Sequence, residues 1–355
     1  MVINWRDPEG LRRWKNVLAL VVGLVLAAAV VAVVDVYLGM LADRREQVIV
    51  RRGDFWGKFM RFDDDLGYRI DPNAHGVAVM EAKGLQIYEV EYTSDEFGRR
   101  ITPTNDMSRK HEGFLLFFGG SHTFGTGVQN DETLPSRTAL LAPDYHVYNY
   151  ADGGYGPSQT LAMLEAGEIP GQVQERQGIA IYTFRASHAM RVVGGMRSTT
   201  RWAGHFPYYA LDAEDKVVRM GSFNDRPFLT PLYRAVSKSG IVRFAGIDVP
   251  LVLRKSHFEL TVRILEESMR LLERDFASVD FYVVVYPSRE KYWSSITPVV
   301  SLLKAAGITV LDYRDLLDLG SGEYFIDEEY EQHPSPKSYQ EVAARLVSDL
   351  GIVVE

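Results

Sequence analysis

The chain has 355 residues, a formal net charge of −8 and no cysteine. Its length allows one large domain with an extension, or two domains, and 46% apolar with 24% charged residues excludes general disorder. The missing cysteine excludes a disulfide, a thiol nucleophile and a thiolate zinc site. The negative balance, with no broad basic run, argues against a nucleic-acid-binding surface.

Residues 1–16 form a short polar tail carrying Arg6, Arg12, Arg13 and Lys15. From Val17 to Val34 the chain is uncharged and almost wholly aliphatic, and after Asp35 the apolar character resumes as far as Ala42. A run of about 18 apolar residues spans a bilayer core as a helix, so residues 17–42 are expected to be one transmembrane helix. The apolar core is too long for an ordinary cleaved leader, and Ala27-Ala28-Ala29 lies inside the run instead of after it. Basic residues flank both ends, with Arg44, Arg45, Arg51 and Arg52 beyond the span. The short basic N-terminus favours a tail inside and the remainder outside, hence an extracytoplasmic main domain.

Residues 43–110 mix short β-type runs with turn signals such as Asp71-Pro72-Asn73, and Ile87 to Thr93 alternates like an exposed strand. A small β-rich stalk or lid is expected, and nothing in it calls for chemistry. From residue 111 to 355 strand and helix patterns alternate, the signature of a parallel α/β sheet. The expected strands are Phe114–Phe118, His146–Tyr150, Gly178–Phe184, Asp280–Tyr286 and Ile308–Leu311. Helices are expected near Glu132–Leu141, Ser158–Glu168, Phe258–Asp275, Pro298–Ala306 and after Pro336. Residues from about 189 to 256 break the rhythm and read as an insertion on the carboxyl-end side of the sheet.

The most informative stretch is Leu115-Leu116-Phe117-Phe118-Gly119-Gly120-Ser121-His122-Thr123-Phe124-Gly125. An apolar run of this length reads as a buried parallel strand. Gly119 and Gly120 then let the backbone turn sharply and leave Ser121 uncrowded, at the strand end where open α/β sheets place ligands. A serine nucleophile needs a base, a group to orient the base, and oxyanion donors. The best base is His333, in Glu331-Gln332-His333-Pro334-Ser335-Pro336, before the last helix. Glu331 and Asp327 are the candidate orienting acids. The other histidines show no His-Glu-x-x-His or His-x-His spacing, so no metal site or cofactor is expected.

Gly119 to Gly125 resembles block I of the SGNH, or GDSL-like, hydrolase superfamily. Asn149-Tyr150-Ala151-Asp152-Gly153-Gly154-Tyr155-Gly156 resembles block II, and Glu331 to Pro334 resembles block V. The resemblance covers roughly residues 114–350 and is most like the membrane-anchored branch. It implies a three-layer flavodoxin-like sandwich and ester chemistry through an acyl-serine, with the Gly154 amide serving the oxyanion together with that of Ser121. Block I here has Gly120 where the motif has Asp. Block III lacks its asparagine: Arg185-Ala186-Ser187-His188 stands there, with Ser187 at the Asn position, so His188 is a candidate replacement donor. Arg191 and Arg289 are candidate substrate-binding residues. The residue three before His333 is Tyr330, which leaves Glu331 as the preferred acid. The whole reads as an anchored esterase or O-acyltransferase acting on an acyl or acetyl ester of a cell-envelope glycan or lipid. The alternative is a non-catalytic scaffold or binding protein that keeps the fold.

Overall fold

The computed structural model describes residues 8–46, 48–289 and 296–352. Helix α1 (Pro8–Glu46) carries the apolar run, and every residue from 17 to 34 is exposed. Among the described residues it is the helix long and apolar enough to cross a membrane. The next segment is β-rich, as its turn signals imply. Strand β1 (Ile49–Gly53) precedes the β2 (Met60–Asp63) and β3 (Gly67–Ile70) hairpin. Strands β4 (His75–Ala82) and β5 (Leu85–Thr93) follow, and β1-β4-β5 form an antiparallel sheet. It does not stand alone: Phe59, Ile70, Val90 and Tyr92 share one apolar cluster with Phe124 and Ala151 of the main body.

The main body begins with β6 (Gly113–Gly119), the one-turn helix α2 (Ser121–Phe124) and α3 (Leu134–Leu141). Next come β7 (Tyr145–Asn149), α4 (Pro157–Glu165), α5 (Ile169–Gln172) and β8 (Gln177–Phe184). An insertion then supplies α6 (Ala186–Val192), α7 (Met196–Arg201), the β9 (Pro207–Leu211) and β10 (Val217–Ser222) hairpin, α8 (Leu229–Val236) and α9 (Gly240–Phe244). The alternation resumes with α10 (Lys255–Asp275), β11 (Ser278–Val285), α11 (Ile296–Ala305) and β12 (Thr309–Asp312). A short hairpin of β13 (Phe325–Asp327) and β14 (Glu331–Pro334) leads to α12 (Pro336–Asp349).

Five strands pair in parallel in the order β12-β11-β8-β6-β7. In chain order that is 2-1-3-4-5, the flavodoxin-like arrangement, whose switch point lies between β6 and β8. Alternate residues divide the sheet's faces. Phe114, Leu116 and Phe118 pack with Leu161 of α4, Leu265 of α10 and Leu303 of α11. Leu115 and Phe117 pack on the other face with Leu134 of α3 and with Val342 and Leu346 of α12. Two helical layers thus cover one sheet, and each fully buried side chain contributes about 1.5–3 kcal/mol. The five strands lie within two residues of their expected bounds. His333, expected before the last helix, sits on β14 of a hairpin, in which Pro334 and Glu331 pair with Phe325 and Asp327.

Arg100 joins the lead-in to the main body. Its guanidinium is buried and donates to the carbonyls of Phe124 (2.8 Å), Gly125 (2.6 Å) and Val128 (2.7 Å), while Nε donates to Asn130 Oδ1 (3.0 Å). Arg100→Met strands three buried carbonyls, so we expect a loss of about 3 kcal/mol or more. A thermal melt of the detergent-solubilised protein checks this; an unchanged midpoint would refute the clamp.

Candidate active site

Strand β6 delivers the chain to the switch point, and Gly120, extended, caps α2 so that Ser121 is its first residue. The amide of a first helical residue has no partner within the helix and remains available. Gly125 closes the turn in the left-handed region (φ 88°), returning its N–H to Ser121 O at 3.0 Å. That conformation suits glycine, and the Arg100 clamp holds the same carbonyl-rich turn from behind.

Glu331 and His333 are two apart on β14, so their side chains leave the strand on the same side. His333 Nδ1 is hydrogen-bonded to Glu331 Oε1, and Arg51 Nη2 donates to Oε2 at 3.5 Å. A carboxylate only accepts, so Nδ1 carries a proton and Nε2 is the ring nitrogen turned away from Glu331. Burial alone would raise the Glu331 carboxyl, yet the hydrogen bond and charge of His333, with Arg51, hold it below the usual range. Ser121 and His333 line one cavity of about 530 Å³, and α2 packs on β14. Among the described residues no hydrogen bond joins Ser121 Oγ to His333. Such bonds often tighten only when substrate is bound.

Two further histidines surround the serine. His122 is buried, its ring centroid 5.3 Å from that of His333. Its Nδ1 accepts from Arg185 Nη1 at 2.7 Å, which places any ring proton on Nε2. Burial, then the charges of Arg185 and His333, hold it well below the normal imidazole value, so it is neutral. His188, on α6, has Nδ1 bonded to the Tyr182 hydroxyl at 2.8 Å. Its Nε2 is buried without a partner among the described residues. Burial and the nearby Arg191 and Arg185 keep it neutral as well.

His188 Nε2 lies 3.2 Å from the point where a Cβ on Gly120 would stand, and Arg191 Nη1 lies 2.8 Å from it. Arg191 also donates to Tyr155 O at 2.6 Å. The departure at block I therefore has a steric reason, because a histidine and an arginine fill the space an Asp side chain would need. Gly154 lines the cavity beside Asp152, whose carboxyl burial raises well above its ordinary value. Asp152 Oδ1 accepts from the Gly153 amide at 2.6 Å, while Oδ2 is buried without a partner among the described residues.

Three candidates fall elsewhere. Arg289 is tied to Glu328 at 2.8 Å and to Leu319 O, and it does not line the cavity; this corrects its reading as a substrate contact. Asp327 is spent on the turn, accepting from the amides of Glu329 (2.9 Å) and Tyr330 (2.7 Å), so Glu331 alone of the two acids meets His333. Ser187 lines a neighbouring depression and not the main cavity. Residues 290–295, which follow Arg289, lie outside the described residues. Sequence reasoning missed Arg51, Arg52, Tyr68 and Tyr92 from the lead-in, and Trp202 from the insertion, all on the cavity wall. No local pattern marks them, since distant packing brings them in. The donor atoms of His111, His146 and Glu175 lie within 4.8 Å of one another, away from this cavity. His146 Nδ1 is hydrogen-bonded to Glu175 Oε1 at 3.2 Å and the Tyr148 hydroxyl to both, while His111 stacks on His146 and its Nε2 is buried without a partner among the described residues.

No family model and no curated protein matches the chain. Among solved structures it is similar to a member of the lipolytic protein G-D-S-L family from Veillonella parvula (11% identity, 68% of this chain and 100% of that one, TM-score 0.41). It is also similar to an acetyl xylan esterase from Butyrivibrio proteoclasticus (12%, 81% and 73%, 0.40) and to an acetylxylan esterase mutant from Geobacillus stearothermophilus (12%, 70% and 98%, 0.37). Likeness at this level leaves the reading of the site to its own geometry.

A Cβ at position 120 would also meet Tyr155 O at 2.8 Å, a backbone atom with little room to move. Gly120→Ala is expected to destabilise by about 1–3 kcal/mol, and Gly120→Asp by more. Melting curves of the two variants check this; a wild-type melt for Gly120→Asp would refute the crowding.

Proposed function

We propose that this chain is a membrane-anchored serine ester hydrolase of the SGNH type. The observation that carries the reading is the meeting of Ser121 with the His333–Glu331 pair in one cavity at the switch point of the sheet. Ser121 Oγ attacks the ester carbonyl while His333 Nε2 takes its proton. Glu331 keeps the imidazole in the Nδ1–H tautomer and stabilises the imidazolium. The amides of Ser121 and Gly154 hold the oxyanion, with His188 Nε2 as a third group beside Gly120. The imidazolium returns the proton to the departing alkoxide, leaving an acyl-serine. Water, activated by His333, then releases the acid; a sugar hydroxyl in its place would make the enzyme an O-acyltransferase.

The retained anchor is supported by Asp35, which lies after the apolar run and is hydrogen-bonded to Ser239 and Ile241 of the folded body. A leader removed on export would take these bonds with it. The short basic tail favours the outer face for the main domain, and so an acyl ester of an envelope glycan or lipid as substrate. The binding-only alternative called for an occluded cavity or a distant His333. A cavity of about 530 Å³ lined by both residues supports the catalytic reading over that alternative.

The test is labelling of the detergent-solubilised protein by a fluorophosphonate probe. Wild type is expected to label, and Ser121→Ala and His333→Ala are not. Glu331→Gln is expected to lower the hydrolysis rate by about 10²–10⁴. A folded wild type that takes no label would sink the proposal.

The cavity wall also carries Arg51, Arg52, Arg185 and Arg191, while Asp152 is held neutral by burial. An ester on an anionic carrier fits this wall. 4-Acetoxybenzoate is therefore expected to show a higher kcat/KM than its neutral analogue 4-acetoxybenzamide, with the gap narrowing as salt rises. Equal values at low salt would remove charge from the specificity.

A further inference from the structure

We propose that the insertion between β8 and α10 rests in the headgroup layer of the bilayer that α1 crosses, a reading that depends on α1 being a span. The depth follows from the helix. Residues 17–34 cover about 27 Å at 1.5 Å per residue, close to the thickness of the hydrocarbon core. Asp35, the first charged residue after that stretch, sets the level at which α1 leaves the core, and the apolar residues from Val36 to Ala42 of the expected span then lie in the interface.

At this level α9 is fixed to the helix. Asp35 Oδ1 accepts from Ser239 Oγ at 2.6 Å and from the Ile241 amide at 3.0 Å. Asp43 pairs with Arg243, and the Arg45 guanidinium lies 4.2 Å from the Phe244 ring centre. The crossing is tight: a Cβ on Gly240 would stand 1.9 Å from Asp35 O and 2.5 Å from Gly39 N. The insertion is thus held at interface depth by specific bonds, not by a slack tether.

The segments on either side of α9 carry what an interface needs. Thr230 and Tyr233 of α8 are buried, while Phe228, Leu229 and Leu232 point outward. Phe228 is 87% exposed, and beyond α9 Leu251 and Val252 are 72% and 73% exposed. Between residues 228 and 256 the basic residues are Arg234, Lys238, Arg243, Arg254 and Lys255, against the single acid Asp248. Bulky apolar groups set among basic ones match an anionic headgroup layer with acyl chains beneath it. Lipid is the occupant because this surface continues from a helix whose apolar residues already face outward on every side.

The absence of cysteine makes single-cysteine probes clean. Full-length Phe228→Cys, Leu251→Cys, Val25→Cys and Met107→Cys proteins would carry a nitrobenzoxadiazole label in phosphatidylcholine–phosphatidylglycerol vesicles containing doxyl lipid. Met107 is exposed in the loop leading into β6, at the opposite end of the strands from the insertion. The expected result is loss of emission at positions 25, 228 and 251 and none at 107. Quenching at 25 with positions 228 and 251 behaving like 107 would overturn the inference while leaving the anchor intact. An unquenched label at 25 would overturn the spanning reading and this inference with it.

Discussion

A guanidinium buried with no carboxylate partner among the described residues is the interaction on which the serine turn depends. Burial pushes Arg100 down to about 10, so its charge is costly where it stands. What offsets that cost is a set of carbonyls and two aromatic faces, with Tyr92 and Phe124 ring centres 4.4 and 4.8 Å away. Those carbonyls belong to the turn directly behind Ser121, whereas Arg100 arrives from the segment before the sheet. The Tyr92 hydroxyl accepts from the Gly127 amide at 2.8 Å, and Arg51 reaches Glu331, which repeats the dependence at two other points. The lead-in is consequently part of the frame that shapes the site.

Charge sorts the three histidines around the serine. His122 and His188 face Arg185 and Arg191 and are buried, so both are neutral. His333 alone of the three is bonded to a carboxylate. An imidazole that must accept a proton and hold the resulting charge needs that counter-ion, and the other two would lose stability on protonation. On the proposed mechanism the arginines thus reserve proton transfer for one ring.

The central sheet was legible because strands buried on both faces must be continuously apolar and must end in turn residues, as Phe114–Phe118 does before Gly119. Ser121, His333 and Glu331 were legible because each sits in a local pattern at a strand or helix end. Arg51, Tyr68 and Trp202 were not, since residues scattered over some 150 positions meet only after the lead-in and insertion have packed. Arg289 read as a pocket residue from its strand-end position, but a carboxylate at Glu328 outcompeted the cavity. Gly120 was visible as a departure from the motif, while its cause, the space taken by Arg191 and His188, needed three dimensions.

The provenance of the cavity wall divides evolutionary labour. The reacting groups stand on strand ends and a hairpin of the main body, whose geometry the sheet dictates. The outer wall, with Tyr88 from one appended segment and Trp202 from another, is built on pieces whose surface positions the sheet does not constrain. On the proposed hydrolase reading, substitutions there would alter what enters without disturbing how it is cleaved, so descendants of this chain could exchange one ester for another by drifting in the appended segments alone.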